Sequence, residues 1–102
     1  MALTKREAEQ RAAALLRIAR TPGSDSAIEA AKTTRAPFGW ICFYQSRKYL
    51  ETGEDRYALA GVSPIVVNGR DGTAVMLSPL VSLREQIQQY EREWGRVHDA
   101  AS

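Results

Sequence analysis

Apolar side chains first recur at helical spacing. Ala8, Ala12, Leu15, Leu16 and Ala19 fall on one stripe, with Arg11, Arg17 and Arg20 mainly on the outer side, until Pro22-Gly23 stops the pattern. Thr4 and Glu7 form a capping box, in which hydroxyl and carboxylate each satisfy a backbone donor left unpaired at a helix start. The spacing therefore predicts a helix over about 4–20. Its stripe is narrow and Ala-rich, so the helix should lie close against a sheet.

The pattern then changes period. Ala27 to Arg35 combines the Ala and Glu content of a helix with a position just ahead of a strong strand, and it is read as a strand. Ala36-Pro37 breaks it. Phe38 to Gln45 is dense in aromatic and β-branched residues, and alternation puts Phe38, Trp40, Cys42 and Tyr44 on one face, with Ile41 and Phe43 on the other. Two apolar faces predict a central strand. Arg47 to Arg56 is polar, turns at Gly53, and reads as an exposed connection. Tyr57 to Ala60 is expected to resume a short strand, with a bulge or bend at Gly61. Pro64 opens the run Ile65-Val66-Val67, where proline removes least hydrogen bonding. The turn Asn68-Gly69-Arg70-Asp71-Gly72 tolerates the positive φ angles of a hairpin, so Thr73 to Leu77 should pair back.

Ser78-Pro79 ends the sheet, and Ser82 with Glu85 forms a second capping box. Leu83, Ile87, Tyr90 and Trp94 then make one helical stripe, Gly95 stands where a C-cap glycine would, and residues 96–102 are expected to be a frayed tail. These elements predict one α+β domain over 1–102. A small antiparallel sheet of three to four strands (about 27–77) is flanked by the N-terminal helix and a C-terminal helix over about 82–94. Two layers suffice to bury a core of Trp40, Phe43, Ile65, Val67, Val75, Leu83, Ile87, Tyr90 and Trp94.

Composition changes little in this picture but excludes several functions. At 102 residues, 44% hydrophobic and 25% charged, the chain matches a single packed domain. The 14 basic and 12 acidic residues leave a net charge of +2 without a basic stripe, which argues against nucleic-acid binding and against a polybasic membrane patch. No apolar run approaches the roughly twenty residues of a membrane span. The N-terminal residues alternate charge with small apolar side chains instead of forming a signal peptide, so the cytoplasm is the expected compartment.

The inventory of reactive side chains is short. His98, the one histidine, lies in the tail beyond Gly95, where little could orient it. Cys42 sits in an apolar strand as an inert buried thiol, since reactive cysteines need electropositive, accessible surroundings. One Cys and one His cannot make a zinc site, no calcium loop is present, and Gly69-Arg70-Asp71-Gly72 lacks the Lys-Ser/Thr pair of a phosphate loop. Glu51, Glu54 and Asp55 lie together in an exposed connection, with nothing to split their pKa values for acid/base work. We expect no catalytic residue, no metal and no cofactor.

The runs Phe38-Gly39-Trp40-Ile41-Cys42-Phe43-Tyr44, Tyr49-Leu50-Glu51-Thr52-Gly53 and Ala58-Leu59-Ala60-Gly61-Val62-Ser63-Pro64-Ile65-Val66-Val67, with a closing turn at Gly72, resemble the immunity protein 35 family, also called YrhB-like. The resemblance spans about 40–94. Cys42 and Val62-Ser63 depart from its usual residues. It implies a small bacterial α+β protein that neutralises the toxin of a polymorphic toxin system by binding it; for the YrhB branch it implies chaperone-like behaviour, a holdase for unfolded clients. Neither implication names a toxin or sets an oligomeric state. The expected partner surface is Arg47, Tyr49, Glu51, Glu54, Asp55, Arg56 and Tyr57. Tyr and Arg are enriched at interface hot spots, and the three carboxylates could steer a basic toxin cleft.

Overall fold

A computed structural model describes residues 2–19, 26–59, 63–78 and 80–95. The expected stop at Pro22-Gly23, the bend at Gly61, the end of the Tyr57–Ala60 strand, Pro79 and the tail carrying His98 lie outside them. The elements are α1 (Lys5–Ala19), β1 (Ser26–Ile28), β2 (Thr34–Ala36), β3 (Gly39–Cys42), β4 (Tyr44–Ser46), α2 (Arg47–Thr52), β5 (Ile65–Asn68), β6 (Ala74–Met76) and α3 (Leu83–Trp94), with 3₁₀ turns at Ala30–Lys32 and Asp55–Tyr57.

The strands form a four-stranded antiparallel sheet in the order β2-β3-β5-β6 and a two-stranded sheet of β1 and β4. These are one long hairpin with an interruption. The segment read as a strand over 27–35 is β1 and β2 separated by the Ala30–Lys32 turn, and the Glu29 N–H donates to the Phe43 carbonyl at 2.8 Å between the two ladders. The strand expected over Phe38 to Gln45 is broken at Phe43: β3 is central, with β2 on one side and β5 on the other, whereas β4 pairs with β1 alone.

The hairpin folds back through a tight turn at Pro37-Phe38, with Ala36 opposite Gly39. Gly39 has φ +151°, and a Cβ there would overlap the Val67 carbonyl oxygen and the Gly69 nitrogen, so only glycine fits. This angle also breaks the expected alternation. Phe38 does not share a face with Trp40 and Cys42; it turns to the opposite side and packs with Ile41, Val66 and Leu77.

The sheet is therefore covered on both faces, and the fold has three layers where two were expected. Ala8, Ala12 and Leu16 of α1 pack on Cys42, Tyr44, Ile65 and Val67. Ile87, Tyr90 and Trp94 of α3 pack on Phe38, Ile41 and Val66 across the sheet. The Ala-rich stripe of α1 lies close to the strands, as its small side chains predict. The capping box of α1 is reciprocal: Thr4 N–H donates to Glu7 Oε1 at 2.9 Å and Glu7 N–H to Thr4 Oγ1 at 3.2 Å. Those bonds hold the Glu7 carboxyl below its ordinary pKa.

Within the expected core, Ile65 and Val67 are fully buried, whereas Phe43, Val75, Ile87, Tyr90 and Trp94 are partly covered. Trp40 borders the core, its Nε1–H donating to the Leu3 carbonyl at 3.0 Å and its ring facing the Arg35 guanidinium. Leu83, the first residue of α3, is exposed and does not join the core that Ile87, Tyr90 and Trp94 border.

Candidate partner-binding surface

The segment from Arg47 to Tyr57 is exposed, but it is folded instead of being the plain connection expected. Ser46 ends β4 and caps α2, accepting from the Tyr49 N–H at 3.0 Å; Gly53 closes the helix with φ 72°, donating to the Tyr49 carbonyl at 2.7 Å. Ser and Gly seven residues apart are a start and a stop signal for a short helix. That signal was legible in the sequence. The Asp55–Tyr57 turn replaces the start of the expected Tyr57–Ala60 strand. Instead of pairing backbone to backbone, Leu59 is held by a side chain: Gln45 Oε1 accepts from the Leu59 N–H at 2.7 Å, and Gln45 Nε2 donates to its carbonyl at 3.4 Å. The amide thus supplies the donor and acceptor of a strand partner and ties the unit back to β4.

On this frame Tyr49 and Tyr57 are half-buried, while Arg47, Glu51, Glu54, Asp55 and Arg56 are exposed. Two cations stand over the Tyr57 ring, the Lys48 ammonium and the Arg56 guanidinium, each 4.8 Å from its centre. Arg56 also pairs with Glu54 at 3.1 Å. Tyr57, Arg56 and Glu54 are therefore brought together as one group. Among the described residues the Glu51 and Asp55 carboxylates have no ion-pair or hydrogen-bond partner. Sequence reasoning missed Lys48, whose place over Tyr57 depends on the turn of α2, and Gln45, whose partner Leu59 lies fourteen positions away.

The rest of the molecule offers little reactive chemistry. Cys42 is fully buried, and desolvation, with a smaller effect of the Glu9 charge, raises its pKa to about 12, so the thiolate is suppressed. Among the described residues no group of three or more His, Cys, Asp or Glu could hold a metal ion, and no helix is long and apolar enough to cross a membrane. Asp71 lies below its ordinary pKa because its carboxylate accepts from Thr73 within the hairpin turn, a structural duty.

A family model described as immunity protein 35 matches residues 6–95. The chain belongs to the immunity protein 35 family. Over 53 residues it is 34% identical to the uncharacterized protein YrhB of Escherichia coli strain K12, a match covering 52% of this chain and 56% of YrhB. The chain thus spans about half the length of the curated relative it matches. No solved structure matches it. The family is named for immunity proteins, and immunity by binding asks for an accessible contact surface.

Proposed function

We propose that this protein neutralises a cognate bacterial toxin domain by binding it and occluding its active site or substrate access, and that it acts in the cytoplasm. It performs no chemistry itself. The observation that carries this reading is the family match over most of the chain. The contact surface is the unit Arg47, Tyr49, Glu51, Glu54, Asp55, Arg56 and Tyr57, extended by Lys48. Its support is physical. A short helix capped at both ends and tied down by Gln45 presents aromatic and guanidinium groups whose geometry is set before binding, which lowers the entropy lost on association. The unpartnered Glu51 and Asp55 carboxylates favour a basic toxin surface and speed encounter with it.

Pull-down from native lysate, followed by calorimetric titration of the captured partner, tests the reading. A single stoichiometric toxin domain, with protection of cells expressing it, supports immunity. A spread of unfolded clients would instead support the holdase function implied by the YrhB resemblance.

A further inference from the structure

We propose that β6 is a strand-addition edge at which two copies of this chain pair antiparallel about Val75. β6 ends the four-stranded sheet. The Asn68 N–H donates to the Thr73 carbonyl at 2.8 Å and the Leu77 N–H to the Pro64 carbonyl at 3.0 Å, so the backbone groups of Thr73, Val75 and Leu77 face β5. By alternation the N–H and C=O of Ala74 and Met76 point away from the sheet, and no described residue bonds them.

Such a row of groups is a template for another strand, and proteins ordinarily blunt it with charge. The opposite edge follows this rule, with Arg35 in β2 and Glu29 and Lys32 beside it. β6 does not: from Gly72 to Leu83 the chain has no charged residue. The same run displays Leu80, 93% exposed, and Val81, 49% exposed. Gln86 fastens the backbone on either side of Leu80, its Nε2 donating to the Ser78 and Val81 carbonyls at 2.9 and 3.0 Å and its Oε1 accepting from the Ser78 N–H at 2.8 Å, while the Leu80 N–H donates to Ser78 Oγ at 3.1 Å.

The edge fits a second copy because it is complementary to itself. A two-fold axis through Val75 sets Ala74 of each copy opposite Met76 of the other, and each such pair exchanges two backbone hydrogen bonds, which joins the two sheets into one. The same register carries Ser78, Leu80 and Val81 of one copy toward the Asn68–Gly72 turn of the other. The paired strands are uncharged, so no like charges oppose each other. α1 lies over the middle of the sheet, bonded through Glu9 to Thr33 toward one edge at 2.6 Å and with Arg11 against Gly72 toward the other.

Sedimentation equilibrium of the full chain, from micromolar to submillimolar concentration, tests this. The wild type should pass from the 11.3 kDa chain to twice that mass. Thr73→Lys with Leu80→Lys places charge on two exposed side chains without touching the core, and should weaken dimerisation at least about tenfold while the circular dichroism of the monomer stays unchanged. Ala74→Pro removes an outward N–H and leaves the β5 ladder intact, and should act in the same direction. A wild type that stays at the single-chain mass throughout, or a lysine variant that dimerises as tightly as wild type, overturns the proposal. Loss of toxin binding in these variants, with a monomeric wild type, would likewise overturn it and assign the edge to a strand of the toxin.

Discussion

Phe38 and Tyr57 are both aromatic residues beside a turn, yet their surroundings hold them by different physics. Phe38 is fully buried against Ile41, Val66 and Leu77, and its ring meets Trp94 edge-on at 5.5 Å and Tyr90 at 6.4 Å. Tyr57 rests half-covered at the surface with two cations over its ring, in a unit with no buried residue from Arg47 to Tyr57. Burial of apolar area dominates stability, whereas cation–π and ion pairs in water contribute little. The sheet is therefore where the fold is decided, and the exposed Arg47–Tyr57 unit can vary at small cost to folding.

The sharpest test of that division removes Phe38. Phe38→Ala should cost about 3–5 kcal/mol, the range for truncating a buried aromatic, and protection should be lost through unfolding. Trp40→Ala, at the border of the core, should cost less; equal losses in denaturant titrations would contradict the burial assigned to each. Gly39→Ala should follow at about 2 kcal/mol or more, because the new Cβ meets backbone that cannot move without breaking the β3–β5 ladder.

In the Arg47–Tyr57 unit the effects should reverse. Tyr49→Ala and Asp55→Arg should each weaken toxin binding by about 2 kcal/mol in calorimetric titration, with little change in melting temperature for the exposed Asp55 site and a small decrease for half-buried Tyr49. If both variants bind like wild type, this unit is not the contact surface and the division loses its functional half. Lys48→Ala is the mildest change there, removing one cation from Tyr57 at about 0.5–1 kcal/mol.

Cys42 gives the comparison a pH dependence. Its folded pKa lies at about 12, above the ordinary thiol value of 9.0, so the unfolded chain releases this proton first as pH rises. The unfolded state then binds fewer protons than the folded one, and stability falls with increasing pH across that interval. This contribution is fully present below the unfolded value and lost as pH climbs through the folded one. Urea titrations of wild type and Cys42→Ala on both sides of the ordinary thiol pKa should show a steeper alkaline decline in the wild type; equal slopes would place the thiol in contact with water. Cys42→Ser and His98→Ala, if folded, should keep neutralising activity, as judged by survival of toxin-expressing cells.

Much of this molecule was legible from local chemistry. The reciprocal capping box of α1, the Ser82 hydroxyl cap of α3, the two helical stripes, the central strand at Trp40–Cys42 and the Asn68–Gly72 hairpin follow from residue type and spacing, because each depends on groups a few positions apart. The α2 helix was equally local, written in Ser46 and Gly53, but its charged interior lacks an apolar period and so reads as loop. The contacts that needed the folded chain join distant positions. Leu59 takes its strand partner from the Gln45 side chain, Trp40 is bonded to Leu3, and Phe38 crosses to the α3 face because Gly39 alone can approach the β5 backbone. Local residue patterns were enough for α1, α3, the central strand β3 and the β5–β6 hairpin, and for an inert thiol among them, but not for α2 or the Asp55–Tyr57 turn. Tertiary structure decided that the helices cover opposite faces of the sheet, since an apolar strand read alone shows two greasy sides but not which helix each side receives.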